Sequence, residues 1–321
     1  MKSISIVVPI WNEVDNIPVF YDRICKVMNA EKLDWEMIAV DDRSSDGSFE
    51  LLSEMASQHK SLKVIRLARN FGSHPAIFCG LQYTTKEAAI IMAADLQDPP
   101  EVIPELIEKR DAGAKIVWAG RNVREGLSFV DLFLAESFHK FFRLLVGANK
   151  LPPQGADFVL IDRLVIDAIG QFREINTNFM ALISWLDFDQ ASITYTKAAR
   201  LSGETGWSFS RKIKLAVDSI VGFTYLPIRL MSFLGIFLAF AGFLYAGVVL
   251  FNYVTGSPPE GWSSVMTAVL VIGGVQMLML GVLGEYLWRA LDEIRSRPRF
   301  LVEQELNTAE AKRVSKRSKA K

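Results

Sequence analysis

Cysteine is nearly absent from this chain. Cys25 and Cys79 are the only two in 321 residues, and neither stands in a paired metal-ligand spacing. A disulfide framework and a thiolate metal centre are both excluded, and the two are expected as buried thiols. Glycine-rich phosphate cradles are missing as well. No G-x-G-x-x-G follows the first strand-like run and no G-x-x-x-x-G-K-[ST] occurs, so the usual backbone grips on dinucleotides and P-loop phosphates are lacking. Any phosphate must then be held by metal and arginine. The start, Met1 to Pro9, has a short apolar run without a cleavage site, which reads as a strand and not as a signal peptide.

Net charge is missing too, with Lys+Arg and Asp+Glu at 36 each, yet the balance hides an uneven chain. Half of the residues are hydrophobic, a high share for a purely soluble protein. Two runs, Leu230 to Val254 and Val265 to Gly284, contain no Asp, Glu, Lys, Arg or His. Each would cross about 30 Å of hydrocarbon as a helix. A buried helical hairpin in a soluble core is the competing reading, and the length of uncharged sequence weighs against it. Arg211, Lys212, Lys214 and Arg229 precede the first run, and Arg289, Arg295, Arg297 and Arg299 follow the second, whereas Thr255 to Ser263 has no Lys or Arg. The positive-inside rule therefore predicts that both termini and the large N-terminal part lie in the cytoplasm, at the cell (inner) membrane.

What is present before those runs is a repeating alternation. Ile4 to Val8, Met37 to Val40, Val64 to Leu67, Ile90 to Met92 and Ile116 to Trp118 are apolar, β-branched runs separated by helix-like segments. That pattern predicts an α/β fold with a mostly parallel, doubly wound sheet. Each run ends in polar residues: Trp11-Asn12-Glu13, Asp41-Asp42-Arg43-Ser44, Arg69-Asn70-Phe71-Gly72, Asp95-Leu96-Gln97-Asp98 and Gly120-Arg121-Asn122. Parallel sheets bind ligands at that edge. In the fourth tip, Asp98 followed by Pro99 and Pro100 also fits a helix N-cap, which would leave Asp95 for other work.

Residues 1–209 form the expected cytosolic domain. Within it, residues 128–146 place Val130, Leu134, Phe138, Phe141 and Leu145 on one helical face and Glu136, His139, Lys140 and Arg143 on the other. This predicts an amphipathic helix, in the membrane interface or against the sheet. Residues 210–229 read as a juxtamembrane segment, 230–288 as a two-helix transmembrane hairpin and 289–321 as a basic cytosolic tail. The tail's lysines have no interleaved aromatics, which suits anionic lipid and not nucleic acid. Gly273, Gly274, Gly281 and Gly284 in the second run would permit close helix packing in a homo-oligomer.

Five motifs occur in order: Val8-Pro9-Ile10-Trp11-Asn12-Glu13, Val40-Asp41-Asp42-Arg43-Ser44-Ser45-Asp46-Gly47-Ser48, Arg69-Asn70-Phe71-Gly72, Asp95-Leu96-Gln97-Asp98-Pro99-Pro100-Glu101 and Arg200-Leu201-Ser202-Gly203-Glu204-Thr205-Gly206-Trp207. Together they resemble the polyisoprenyl-phosphate branch of the family 2 glycosyltransferases, which includes undecaprenyl-phosphate glucosyltransferases and dolichol-phosphate mannose synthase. The resemblance runs from about Ile4 through both apolar runs. It implies a GT-A fold, a nucleotide-sugar donor, Mg²⁺ or Mn²⁺, and an inverting transfer to a polyprenyl phosphate lipid held in the bilayer.

By the same resemblance Pro9, Trp11, Glu13, Asp41, Asp42 and Arg69 would surround the nucleotide sugar, and Asp95 with Gln97 would hold the metal. Asp157 would be the catalytic acidic residue near the acceptor, and Arg121, Arg124 and Arg200 would meet phosphates. One position departs from the family. The first acid of its Asp-x-Asp-x-Gln pattern is Ala93 here, which removes one protein carboxylate from the metal. A processive polysaccharide synthase is disfavoured because no Gln-x-x-Arg-Trp occurs. A GDP-mannose donor and a catalytically silent membrane scaffold stay open, with UDP-glucose the expected donor.

Overall fold

The computed structural model describes residues 3–121, 158–172, 174, 178–196, 226–255 and 261–308. The expected strands all form: β1 (Ser3–Ile10), β2 (Asp34–Asp41), β3 (Leu62–Leu67), β4 (Ala88–Ile91) and β5 (Ile116–Arg121). Three more, β6 (Phe158–Asp162), β7 (Gln190–Tyr195) and β8 (Val302–Leu306), complete one eight-stranded sheet in the order β7-β5-β6-β4-β1-β2-β3-β8. β1 pairs in parallel with β2 and β4, β2 with β3, and β5 with β7. β6 runs antiparallel to both β4 and β5, and β8 runs antiparallel to β3. The first five strands and β7 therefore point one way, and their C-terminal tips share one edge. The fold class is the GT-A type expected from the sequence.

Helices α1 (Ile17–Ala30), α2 (Ser48–Gln58), α3 (Ser73–Gln82), α4 (Ile103–Asp111), α5 (Arg163–Ile169) and α6 (Phe179–Trp185) cover the sheet. Helix α1 starts with a proline in its first turn and buries Ile17, Phe20, Tyr21, Ile24 and Met28, the three-to-four spacing that turns one face inward. Helix α3 lies close on β1 because Gly80 has no side chain. A Cβ there would overlap Val7 and press on Val40.

Two compact units divide the chain: Met1–Ala216 with Pro298–Lys321, and Val217–Arg297. The second contains α7 (Leu226–Val254) and α8 (Trp262–Arg295). Both are long and apolar enough to cross a membrane, and their large side chains, Phe237 and Phe243 among them, are exposed. The structure corrects the expected tail at 289–321. Arg289 to Arg295 continue α8, and Val302–Leu306 is the edge strand β8. An edge strand draws its stability from the backbone ladder and needs no strong apolar alternation, so Val-Glu-Gln-Glu-Leu passes for a polar tail. The amphipathic segment 128–146 and residues 210–225 lie outside the described residues.

Opposite the strand tips, a buried ion pair spans β2 and β3. Lys63 Nζ donates to Glu36 Oε2 at 2.7 Å, and both side chains are about 5% exposed (5% and 6%). Ser5 Oγ and the Thr85 backbone N–H also donate to Glu36 Oε1, and Thr85 Oγ1 donates to Oε2. Burial pushes the Glu36 carboxyl up, but the bonds and charge of Lys63, with Ser5 and Thr85, bring it below its ordinary value. A lowered native value means that the pair's stabilisation is complete above the unfolded carboxylate's pKa of about 4.3 and fades as pH falls through the native value. Lys63→Met should cost about 3–5 kcal/mol at neutral pH because it strands a buried carboxylate. Denaturant unfolding would check this, and adding Glu36→Gln should recover most of the loss.

Candidate active site

Three of the strand tips bend through left-handed backbone at residues that are not glycine: Asn12 at φ 56°, Arg43 at φ 65° and Leu96 at φ 60°. Asparagine tolerates this region, whereas arginine and leucine visit it at a cost. Such outliers persist where surrounding bonds over-determine the backbone, and here the bonds are present. The Asn12 N–H donates to Ser44 Oγ, Glu13 N–H to Ser48 Oγ and Val14 N–H to Asp46 Oδ2, while Asn12 Oδ1 accepts from the Ser45 N–H. The tips of β1 and β2 are thus sewn into one wall.

Asp41, at the end of β2, is fully buried. Its Oδ1 accepts from the Ser44 N–H at 3.1 Å, while Oδ2 lies 3.4 Å from Arg66 Nε. That contact is an ion pair without hydrogen-bond geometry, since neither Asp41 Oδ2 nor Arg66 Nε has a hydrogen-bond partner among the described residues. Burial raises the Asp41 carboxyl above its usual range, against the bonds from Ser44 and the charge of Arg66. A buried acceptor left unmatched costs about 1–3 kcal/mol, so Oδ2 is suited to a ligand N–H.

Asp42 does something else. Its two oxygens accept from the Phe71 and Gly72 N–H groups, each at 2.7 Å. Burial raises its pKa, with these two bonds opposing. Asp42 therefore fixes the 69–72 loop through both of its carboxylate oxygens. Within that loop Arg69 is exposed and stacks 4.6 Å from the Phe71 ring centroid. Glu13 also has a local duty: Oε2 accepts from Asn16 Nδ2 at 2.6 Å, and its carbonyl starts the turn into α1. Pro9 is half-buried on β1 beside Val40, and Trp11 is 47% exposed.

At the tip after β4, Asp95 is 8% exposed and its Oδ1 accepts from the Gln97 N–H at 3.1 Å. Asp98 is buried and accepts a short bond from Tyr195 Oη of β7, while Pro99 stands at the start of the following turn. The proposed Asp98 cap is thus replaced by a tie between β7 and the β4 tip. Among the described residues no group of three or more His, Cys, Asp or Glu is arranged to hold a metal. One carboxylate and one amide, Asp95 and Gln97, still fit a hard divalent ion that keeps waters and substrate phosphates as its other ligands.

Asp157, Arg124 and Arg200 lie outside the described residues, as does the side chain of Arg121. Phe158, which follows Asp157, opens β6 opposite Ala119 at the same edge, and Val159 pairs with Ile91. Sequence reasoning missed Arg66, whose signal was an arginine inside the apolar run Leu-Lys-Val-Ile-Arg-Leu.

The model of the Glycosyl transferase family 2 matches residues 5–170. The chain belongs to that family. A second match, the GtrB C-terminal hairpin, covers residues 226–289 and so coincides with α7 and most of α8. An uncharacterized glycosyltransferase YkcC of Bacillus subtilis is 39% identical over 93% of each chain. A bactoprenol glucosyl transferase of Shigella phage SfX is 34% identical over 94% of this chain and 98% of its own. The solved mannosyl-3-phosphoglycerate synthase of Rubrobacter xylanophilus is 15% identical, with a TM-score of 0.49 over 68% of this chain and 72% of that one.

The clamp role of Asp42 is directly testable. Asp42→Ala should lower stability by about 2–3 kcal/mol, the loss of charge-assisted bonds to two N–H groups. It should also speed amide exchange at Phe71 and Gly72. Unchanged exchange at those two amides would remove the clamp.

Proposed function

We propose that this family 2 glycosyltransferase moves a hexose, glucose, from UDP-glucose to the phosphate of a polyprenyl lipid such as undecaprenyl phosphate, with inversion at the sugar carbon. The observation that carries the reading is the pairing, at one sheet edge, of Asp41 with its unmatched buried Oδ2 and Asp95 two strands away. Two strand spacings are about 10 Å, a span suited to a nucleotide with its base at β2 and its diphosphate at β4. The names of relatives such as the SfX bactoprenol glucosyl transferase support glucose and the lipid acceptor. The two apolar helices support action at a membrane, and the charge pattern around them favours the cytoplasmic face.

In this reading Asp41 Oδ2 accepts from the uracil N–H, and Trp11 lies over the donor at the rim. Asp95 and Gln97 hold Mg²⁺ or Mn²⁺, which supplies Lewis-acid stabilisation for the departing diphosphate. Two anions must meet, so cations are required on the protein side as well. Arg121, Arg124 and Arg200 are assigned that work. The acceptor phosphate has a second pKa of about 6 and is largely ionised at neutral pH, so proton removal is a small part of the barrier. Asp157 then orients the acceptor oxygen and takes any residual proton.

With purified protein, undecaprenyl phosphate and a divalent ion, UDP release should occur from UDP-glucose, and only when the lipid is present. Turnover of GDP-mannose in its place would overturn the donor, and absence of turnover with any donor would favour a silent scaffold. Asp157→Asn should lower kcat by about 10²-fold or more while leaving UDP affinity unchanged. Near-normal turnover in a folded variant would remove Asp157 from the mechanism.

A further inference from the structure

Strand β8 carries one residue more than its partner can match. Leu67 pairs with Val302 and Arg66 with Gln304, so Glu303 is the extra residue of a bulge between them. Bulges re-aim a side chain out of the regular alternation. Here the Glu303 carboxylate reaches across the tips of β2 and β3, where Oε2 makes a short ion pair with Arg43 and lies 3.7 Å from Arg66 Nε. On its other side the same Nε is 3.4 Å from Asp41 Oδ2. A third carboxylate, Glu50, lies 3.9 Å from Arg66 Nη1, and the guanidinium sits 4.3 Å over the Phe49 ring.

We propose that Glu303 is a positioning residue of the nucleobase pocket: it divides the Arg66 guanidinium between two carboxylates and so keeps Asp41 Oδ2 available to a nucleobase N–H. The two Nε distances are nearly equal, and the guanidinium carbon lies over the Phe49 ring, which forms no directional bond that would fix Nε on either carboxylate. With Glu303 neutralised, two carboxylates still attract the guanidinium, and the buried Asp41 outweighs Glu50, which is 70% exposed and screened, so a charge-assisted bond to Asp41 would close to about 2.7–2.9 Å. Arg66 would then compete with the base for Oδ2. The ion pairs of Glu303 are half-exposed, at 42% for Arg43 and 37% for Glu303, so screening leaves them a small share of fold stability. Their contribution lies in where they hold the buried Nε of Arg66.

This inference rests on Asp41 being the base acceptor, and the experiment separates the two. Uridine diphosphate and guanosine diphosphate, each with Mn²⁺, are titrated calorimetrically into the full-length protein in detergent, and the tighter one serves as probe. Glu303→Gln should raise its Kd about five- to tenfold, the scale of one mispaired charged hydrogen bond. The donor KM should rise in parallel, with kcat within about twofold, as expected when only uniform binding is lost. Glu303→Asp, which keeps the charge but withdraws it by one methylene, should fall between, a grading that loss of fold would not produce. In an Arg66→Gln background, Glu303→Gln should have no further effect, because the competitor is gone. An unchanged Kd in Glu303→Gln, or an equal loss in the Arg66→Gln background, overturns the proposal. Wild-type protein that binds neither nucleotide overturns the reading of Asp41 instead.

Discussion

Four carboxylates, those of Asp41, Asp42, Asp95 and Asp98, are buried along one edge of one sheet, and the rest of the structure follows from how each is matched. Parallel strands running the same way bring their tips together whether or not the charges suit. Each acid then needs its own solution. Asp42 takes two backbone N–H groups from the next loop, Asp98 takes a tyrosine hydroxyl from β7, and Asp95 takes the Gln97 N–H. Asp41 keeps a buried oxygen that has no hydrogen bond among the described residues, beside a guanidinium held just out of bonding geometry. A folding optimum would close that gap, and a binding site has reason to keep it open.

The left-handed residues at the tips belong to the same constraint. Arg43 and Leu96 adopt φ values that a packing optimum would avoid. In each case the strained residue sits next to an acid whose direction it sets: Arg43 follows Asp42, and Leu96 separates Asp95 from Gln97. At Arg43 the strain is held by the bonds that join the β1 and β2 loops, and at Leu96 by the turn that the Gln97 N–H closes onto Asp95 Oδ1. Backbone and charge therefore act together, and the edge arrives preorganised instead of being ordered by a ligand.

How much of this could be read in the sequence depends on what kind of force built each part. β1 to β5 were legible because burial on both faces demands uninterrupted apolar runs. The tip residues were legible as a set, since acids, amides and arginines after every run exceed what packing needs. The division of labour among them was not. Asp41 and Asp42 are neighbours of one residue type, yet Asp42 clamps a loop while Asp41 keeps a buried oxygen without a hydrogen bond among the described residues, a difference set by a loop 30 residues on. β8 escaped because its pairing is a backbone property, and backbone hydrogen bonds leave no mark on a five-residue polar segment. Arg66 was visible as an intruder in a buried run, but its meaning depends on Glu303, more than 200 residues later.

Chain order adds a consequence for how this protein can be dissected. The apolar hairpin is inserted between the body of the sheet and its last strand: β3 is made early, while β8, which pairs with it, follows α8. Removing everything after residue 229 would thus take away more than a membrane anchor. It would strip the ladder from β3, remove the Glu303 carboxylate from Arg43 and Arg66, and leave the carbonyls of Ala56 and Leu62 without the Asn307 amide that donates to them. Loss of nucleotide binding in such a truncation would follow from an open sheet edge next to Asp41 and would say nothing about lipid. Separating the two contributions requires a chain in which the hairpin is replaced by a polar linker and β8 is retained, because only then does the sheet edge at Asp41 keep the Glu303 carboxylate and the β3 ladder.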